Sequence, residues 1–211
     1  MSSFAVKEIF LTLQGEGLQV GRPAVFCRFS GCNLWSGHEG ERSDAICRFC
    51  DTDFIGTDGT RGGRYRDAEQ LADMIEAEWI SGQGNRFCVL TGGEPLLQVD
   101  EDLVSALHNR GFQIAVETNG TVPAPAGIDW VCVSPKSGTR LKITRGNELK
   151  LVYPQVGALP ERFVHLAFDN FLLQPMDGPD LLANTREAIK YCLIHPQWRL
   201  GVQTHKKLGI R

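Results

Sequence analysis

The chain has 211 residues, 42% of them hydrophobic, and its 22 Lys and Arg against 25 Asp and Glu give a net charge of −3. This length fits one domain, and the apolar content excludes a largely disordered chain. No apolar run approaches the roughly 18–20 residues of a membrane span, and a slightly acidic chain is a poor partner for nucleic-acid phosphates, so we expect a cytoplasmic protein that binds neither membrane nor nucleic acid.

Short apolar runs along the chain predict strands, and three longer amphipathic segments predict helices. The helix that starts at Asp67 opens with an Asp-x-x-Gln capping box, and the next one stops at Gly111, a residue suited to a helix end. In chain order the predicted strands are 8–14, 24–29, 86–91, 113–118, 130–134, 148–153, 171–174 and 198–204, and the predicted helices are 67–80, 100–110 and 180–194.

The order of these elements predicts an α/β fold. Early strands and helices alternate as βαβαβ, which is typical of parallel strands joined by crossovers. After Thr121 the links are too short for full helices, and a complete eightfold barrel needs about 250 residues. We therefore predict a partial, helix-poor (β/α) barrel with about six parallel core strands, in a single domain over residues 1–211.

Polar and glycine residues follow five of the predicted strands, at the point where each apolar run stops. Each cluster alone fits ordinary turn chemistry, but parallel α/β barrels build their sites at the carboxyl ends of the strands. Five clusters in succession therefore predict one shared site. The clusters are residues 91–95, 117–120, 134–136, 174–177 and 203–206.

Seven cysteines in a chain without a visible export signal argue against a disulfide framework. Cys27, Cys88 and Cys132 lie in predicted strands, and Cys192 lies on the apolar side of a predicted helix. Because free cysteine behaves as a small hydrophobe when it is buried, we interpret these four as packing residues.

Cys32, Cys47 and Cys50 differ, because they lie in a polar loop with glycines and the last two form a CxxC. From the residues alone, three interpretations stay open. His38 could complete a Cys₃His zinc site. The three cysteines could instead hold a 4Fe–4S cluster and leave one iron free for another ligand. The CxxC could also be a redox pair or inert.

Together these features resemble the radical S-adenosylmethionine (SAM) superfamily. The resemblance rests on the CxxC with an aromatic residue, Phe49, before its last cysteine, on the upstream third cysteine, and on Gly-Gly-Glu-Pro at 92–95. Within that superfamily the chain most resembles the 7-carboxy-7-deazaguanine synthases, enzymes of queuosine and 7-deazapurine biosynthesis. The more specific stretches are LQGEG at 13–17, Ser-Pro-Lys at 134–136 and Thr-His-Lys at 204–206.

One departure concerns the spacing of the cysteines. The superfamily usually has CxxxCxxC, whereas 14 residues separate Cys32 from Cys47 here. We interpret residues 33–46 as an insertion in the cluster loop, and its role does not follow from the sequence.

The resemblance implies three cofactors: a 4Fe–4S cluster on the three loop cysteines, SAM, and Mg²⁺ at Thr52. Gly93 would let the backbone approach SAM closely because it has no Cβ, and Glu94 would accept a hydrogen bond from the SAM amino group. The other implied SAM contacts are Phe49, Asp51, Ser134, Pro135, Lys136, Gln174, Pro175, Met176 and Asp177.

The implied reaction is that of a lyase, which converts 6-carboxy-5,6,7,8-tetrahydropterin to 7-carboxy-7-deazaguanine with loss of ammonia. It would proceed by hydrogen abstraction at C6, ring contraction and regeneration of SAM. A pterin needs in-plane hydrogen-bond partners and a cation for its carboxylate; Glu117 suits the first need and Arg28 the second. The remaining implied substrate contacts are Leu13, Gln14, Gly15, Thr91, His205 and Arg211.

The same resemblance implies an electron-donor protein such as a flavodoxin, and a homodimer. Two other functions stay open. One is a radical SAM activase that installs a glycyl radical on a partner protein. The other is a zinc-stapled binding module without enzymatic activity.

Overall fold

The computed structural model describes residues 3–80 and 84–211. Within these two stretches, no helix is both long enough and apolar enough to cross a membrane. The strands are Phe4–Leu13 (β1), Pro23–Phe29 (β2), Gly63–Tyr65 (β3), Phe87–Gly92 (β4), Gln113–Thr118 (β5), Trp130–Val133 (β6), Arg145–Tyr153 (β7), Ala167–Pro175 (β8) and Trp198–Leu200 (β9). The helices are Ala68–Glu78 (α1), Glu101–Asn109 (α2), Leu181–Ile194 (α3) and Thr204–Leu208 (α4), and 3₁₀ helices cover Glu39–Asp44, Pro95–Leu97 and Pro160–Arg162.

The nine strands of the described residues form one open sheet in the order β3-β1-β2-β4-β5-β6-β7-β8-β9. Each neighbouring pair from β2 to β9 is parallel, whereas β1 is antiparallel to both β2 and β3. Helices α1 and α2 precede β4 and β5, and loops join β5 to β6 and β6 to β7. The predicted α/β class and the helix-poor, mostly parallel sheet are confirmed; the short β9 extends the parallel set beyond the six strands expected.

The direction of β1 and the early end of the strand predicted over 198–204 both have local explanations. The link between β1 and β2 is shorter than the dozen or so residues that a parallel crossover requires, so β1 folds back antiparallel. The strand predicted over 198–204 ends at Leu200, and α4 begins at Thr204. There the Thr204 N–H donates to the Gly15 carbonyl over 2.8 Å, which ties this part of the chain to the end of β1.

Alternation along the strands separates the hydrophobic core from the opposite face of the sheet. On β2, Val25 and Cys27 belong to the main core with residues of α1 and α2, whereas Phe26 and Arg28 point to the other face. The same alternation on later strands turns Thr91, Glu117, Lys150 and Gln174 away from the core residues Leu90, Val116, Leu149 and Leu173.

The cysteines outside the loop lie where the sequence indicated. Cys27 and Cys88 are fully buried and Cys132 is 1% exposed, while Cys192 is half-buried on α3. All seven cysteines are free. The packing interpretation is confirmed for the three strand cysteines.

Asp67→Ala should weaken α1, because Asp67 Oδ1 accepts the Gln70 N–H over 2.8 Å and the Gln70 side chain accepts the Arg66 N–H over 2.9 Å. We expect the free energy of unfolding to fall by about 1 kcal/mol in urea denaturation, the usual contribution of such a cap. Asp73→Ala, in the interior of the same helix, removes an exposed ion pair with Arg110 and serves as control. Equal losses in both variants would show that the cap contributes nothing of its own.

Candidate active site

One cavity of about 390 Å³ lies at the carboxyl ends of the parallel strands. Its lining contains every residue that the sequence assigned to the cluster, SAM, Mg²⁺ or substrate, with the exception of Glu94 and Pro135. Parts of all five polar clusters face it. Their predicted convergence on one site follows from the parallel sheet, whose strands all end at the same edge.

Cys32, Cys47 and Cys50 share a wall of this cavity. The Leu34 N–H donates to Cys32 Sγ over 3.4 Å. A hydrogen bond between Cys47 and Cys50 lowers the pKa of Cys50 and raises that of Cys47, and the positive charge of Lys136 lowers the pKa of both thiols. One thiol of the CxxC is therefore readily deprotonated, as cluster ligation requires.

The chemistry of this donor set fits a multinuclear cluster. Within residues 3–80 and 84–211, no three His, Cys, Asp or Glu side chains converge closely enough to hold a single metal ion. His38 precedes the 3₁₀ helix Glu39–Asp44 and is not part of the cavity lining. The three cysteines line the same cavity, where each thiol could ligate a different iron of a cluster.

A buried oxygen on β8 gives a second test of whether the cavity fits the implied cofactors. Gln174 is 6% exposed and lines the cavity. Its side-chain Oε1 is buried and has no hydrogen-bond partner in the part of the chain that the structure describes. Because buried polar groups are almost always paired, Oε1 is available to accept an N–H of a bound ligand, such as the adenine of SAM.

Glu94 and Pro135 lie behind the cavity wall rather than in it. Glu94 is fully buried, and its carboxylate accepts the Leu96 N–H over 3.0 Å, the Thr118 hydroxyl over 2.7 Å and the Asn119 N–H over 2.8 Å. Burial raises the pKa of this carboxyl. In this arrangement Glu94 joins the ends of β4 and β5, and its contact with SAM stays a prediction.

Two glycines of the lining are required by close packing within the chain. A Cβ at Gly93 would overlap the carbonyl oxygen of Gly31, and a Cβ at Gly15 would overlap the ring of His205. Gly93 thus lets the β4 end pack against the segment that carries Cys32, a reason different from the predicted approach to SAM. Gly15 places His205 directly against the start of the LQGEG stretch.

A buried lysine organises the polar end of the cavity. Lys150 is 5% exposed, and its Nζ donates to Glu16 Oε2 over 2.5 Å and to Glu117 Oε2 over 2.9 Å. Gln14 donates to the other oxygen of Glu117 over 3.3 Å, and Gln203 donates to the other oxygen of Glu16 over 2.8 Å. Both carboxylates are therefore held in place by two donors each.

The pKa values of the carboxyl groups around Lys150 depend on their burial and on the positive charge of the Lys150 ammonium. Burial alone would raise the pKa of Glu16, but the charge and hydrogen bond of Lys150, with that of Gln203, lower it to about 2. The pKa of Glu148 is raised by burial and by the neighbouring Glu117. Burial would lower the pKa of Lys150, yet its carboxylate neighbours hold it well above the usual value.

A second charged group lies on β1 and β2. Arg28 Nε donates to Glu8 Oε1 over 2.9 Å, and the Arg211 guanidinium pairs with Glu8 Oε2. Thr12 donates to the main-chain oxygen of Arg211 over 3.0 Å, and the guanidinium lies over the ring of Phe10. Both arginines line the cavity, which supplies a cationic side opposite in charge to the Glu16 and Glu117 side.

The cavity rim carries a third ion cluster. Lys206 of α4 donates to Asp51 over 2.5 Å and to Asp177 over 2.6 Å. It joins the cluster loop to the end of β8. Near it, Lys136 Nζ donates to Ser134 Oγ over 2.7 Å and lies 6.0 Å from the ring centre of Phe49.

The sequence analysis missed Lys150, Glu16 and Glu8 as residues of the lining. A signal for Lys150 was present, since Glu148 and Lys150 alternate in an otherwise apolar strand and must share a face. Charged residues on a buried strand are almost always paired, which points to a partner across the sheet. The pairing itself depends on residues 134 positions apart and is not visible in the sequence.

Comparison with known proteins adds four findings. A family model described as Radical SAM superfamily matches residues 41–189. The chain is 68% identical over 209 residues to the 7-carboxy-7-deazaguanine synthase of Bradyrhizobium diazoefficiens, covering 99% of this chain and 100% of that protein. It is 64% identical over 208 residues to the 7-carboxy-7-deazaguanine synthase of Caulobacter vibrioides, with 99% of each covered. The crystal structure of QueE from Escherichia coli matches with a TM-score of 0.73 and 29% identity, over 96% of this chain and 95% of that one.

Lys150→Met should destabilise the protein strongly, because it leaves Glu16 and Glu117 without their shared cation. Removing one partner of a buried pair typically costs about 3–5 kcal/mol in free energy of unfolding. Lys190→Met is the matched control, since Lys190 pairs with Glu187 on the surface of α3 and should change stability by less than about 1 kcal/mol. Equilibrium urea unfolding measures both, and similar losses would contradict the assigned importance of Lys150.

The dependence of stability on pH should report Glu16. Its pKa is about 2 in the folded protein and near the ordinary value of 4.5 in the unfolded chain. Its contribution is therefore complete above about pH 4.5 and is lost as the pH falls through the folded value. Between about pH 4 and 3, Glu16→Gln should reduce the slope of unfolding free energy against pH by up to about 1.4 kcal/mol per unit, the effect of one proton. An unchanged slope would show that Lys150 does not hold Glu16 ionised.

Proposed function

The chain belongs to the 7-carboxy-7-deazaguanine synthase family of the radical SAM superfamily, and we propose that it converts 6-carboxy-5,6,7,8-tetrahydropterin to 7-carboxy-7-deazaguanine with loss of ammonia. It is an enzyme of the radical SAM type, and that family implies a 4Fe–4S cluster and SAM. When bound, cluster and SAM supply the radical that takes a hydrogen atom from C6 of the substrate and is regenerated when the hydrogen returns.

The observation that carries the proposal is that one cavity is lined both by the three cysteines and by Glu16, Glu117 and Arg28. A radical source and a polar small molecule can therefore meet in the same space. This arrangement also favours a pterin over the protein chain that a glycyl-radical activase modifies.

We assign the cluster to Cys32, Cys47 and Cys50. Phe49, Asp51, Ser134, Lys136 and the 174–177 segment, which all line the cavity near these cysteines, would hold SAM. The unpaired Oε1 of Gln174 supports this assignment for the adenine end. Glu94, as acceptor for the SAM amino group, and Pro135 stay proposed SAM contacts, although neither lines the cavity.

At the other end, Glu117 is proposed to accept hydrogen bonds from the amide edge of the pterin. Lys150 and Gln14 fix its carboxylate, so little ordering remains to be done when substrate binds. The backbone of 13–15, Thr91 and His205 complete this end.

Arg28 is proposed to bind the substrate carboxylate. Its Nε is bonded to Glu8, which fixes the plane of the guanidinium fork, and a planar fork suits a carboxylate. Arg211, on the second oxygen of Glu8, adds positive charge on the same side.

Thr52 is the proposed protein ligand for Mg²⁺. It lines the cavity beside Asp51 and Asp53, and Mg²⁺ prefers oxygen ligands and keeps most of its water. The remaining coordination would come from the substrate carboxylate and water. Omission of Mg²⁺ with added chelator should therefore lower turnover.

We further propose a single domain, a cytoplasmic location, a flavodoxin-type electron donor and a homodimer. Seven free cysteines fit the reducing cytosol. Exposed apolar side chains on α3, among them Leu182 at 66% and Leu193 at 80%, are the kind of surface that a dimer contact covers.

The test is anaerobic incubation of reconstituted protein with SAM, Mg²⁺, a strong reductant and 6-carboxytetrahydropterin, followed by mass spectrometry. We expect 7-carboxy-7-deazaguanine with SAM largely retained. Formation of 5′-deoxyadenosine without that product would keep the radical chemistry and reject the substrate. Neither product, together with zinc and no acid-labile sulfide in the protein, would reject the cluster in favour of a zinc-binding module.

Glu117→Gln should impair turnover while the cluster still assembles, because it replaces one acceptor oxygen facing the pterin edge with an N–H donor and changes no iron ligand. We expect kcat/KM to fall about 100-fold or more, as for sites built around a substrate hydrogen bond. Cys47→Ala removes a proposed iron ligand instead, so this variant should lose iron and sulfide. Normal turnover by Glu117→Gln would show that the pterin edge binds elsewhere.

A further inference from the structure

The segment 33–46 packs against the loop that carries the CxxC. The Leu34 carbonyl accepts the N–H groups of Ile46 and Cys47, over 3.0 and 3.3 Å. The loop between Cys32 and Cys47 is thereby closed at its base by backbone bonds. These backbone bonds do not extend to the turn from Cys47 to Cys50, which side chains hold instead.

Arg42, within this segment, supplies that contact. Its Nη1 donates to the carbonyl of Arg48 over 2.8 Å and to the carbonyl of Cys50 over 3.1 Å. One guanidinium nitrogen thus bridges two carbonyls of the CxxC turn, one of them on a proposed cluster ligand.

The guanidinium of Arg42 is itself fixed on its remaining sides. Glu39 accepts from Nε over 2.7 Å and from Nη2 over 2.8 Å, a bidentate pair. The ring of Trp35 lies 4.0 Å from the guanidinium carbon, and Trp35 is 8% exposed and packs edge-on against Phe54. A planar fork can make all these contacts at once, whereas a lysine ammonium cannot.

We propose that Arg42 is a positioning residue for the cluster, and that residues 33–46 serve to hold the CxxC turn in its ligating conformation. The proposal rests on the assignment of Cys32, Cys47 and Cys50 as cluster ligands. Loss of a group that orients the ligands of a metal site typically lowers metal affinity about 10- to 100-fold. Arg42 acts on the Cys50 main chain and touches neither substrate nor SAM in this scheme.

The experiment measures iron release from the reconstituted, full-length protein to a ferrous chelator under anaerobic conditions. Iron and acid-labile sulfide per chain are determined first for the wild type, Arg42→Ala and Arg42→Lys. Arg48→Ala is the matched control, because it removes an arginine from the CxxC turn whose Nε donates only to the Ala45 carbonyl among the bonds described. Thermal unfolding of each protein before reconstitution monitors the fold.

We expect Arg42→Ala to release iron about 10- to 100-fold faster than the wild type, the range known for lost outer-shell partners of metal sites. Arg48→Ala should release it at the wild-type rate. Arg42→Lys should resemble Arg42→Ala, because one ammonium cannot bridge both carbonyls and pair with Glu39. Melting temperatures should agree within about 3 °C, since the ion pair of Arg42 with Glu39 lies at the surface and such pairs add little to stability.

The inference is overturned if Arg42→Ala releases iron at the wild-type rate. It is also overturned if Arg42→Lys retains iron as the wild type does, because the positive charge alone would then explain the role of Arg42. If Arg42→Ala does not fold, Glu39→Gln serves instead, with a smaller acceleration expected and an unchanged rate counting against the inference. If the wild-type protein takes up no iron and sulfide, the cluster assignment itself is refuted. That result is distinct from a failure of the role proposed for Arg42.

Discussion

A strand turns successive side chains to opposite faces, and this constraint determines what each strand of the sheet can contribute. Cys27, Leu90 and Leu149 pack into the core, so the residues next to them in sequence must face the other side of the sheet. Those neighbours are therefore free to be arginine, threonine and lysine. Because all seven parallel strands end at the same edge, their polar positions meet there without long connecting loops.

This regularity explains how much could be predicted from the sequence. Apolar runs located the strands, and the polar residues at their ends located the site, since both depend on local order along the chain. Contacts between distant segments were not accessible in this way. Glu94 follows a strand, as the other predicted site residues in the polar clusters do. The turn at Pro95 nevertheless directs its carboxylate into the protein, where it accepts hydrogen bonds from Thr118 and Asn119.

Lys150 shows the other limit of sequence reasoning. A lysine in a buried strand must have partners, but which ones is decided by register: Glu148 aligns with Cys132, and Cys132 aligns with Glu117. That alignment lets the Glu117 side chain on β5 reach past β6 to Lys150 on β7. The third part of the network is the short link between β1 and β2, which carries Glu16 to the same ammonium.

The charge balance of the cavity connects this packing to the proposed substrate. Lys150 faces Glu16, Glu117 and Glu148, so even with Glu148 protonated these four groups carry one excess negative charge. Arg28 and Arg211 share the single carboxylate of Glu8, so these three groups carry one excess positive charge. A ligand that is rich in N–H donors at one end and bears a carboxylate at the other balances both. A carboxypterin has this distribution, whereas a neutral or purely cationic ligand would leave the excess positive charge of Arg28 and Arg211 without a counter-charge.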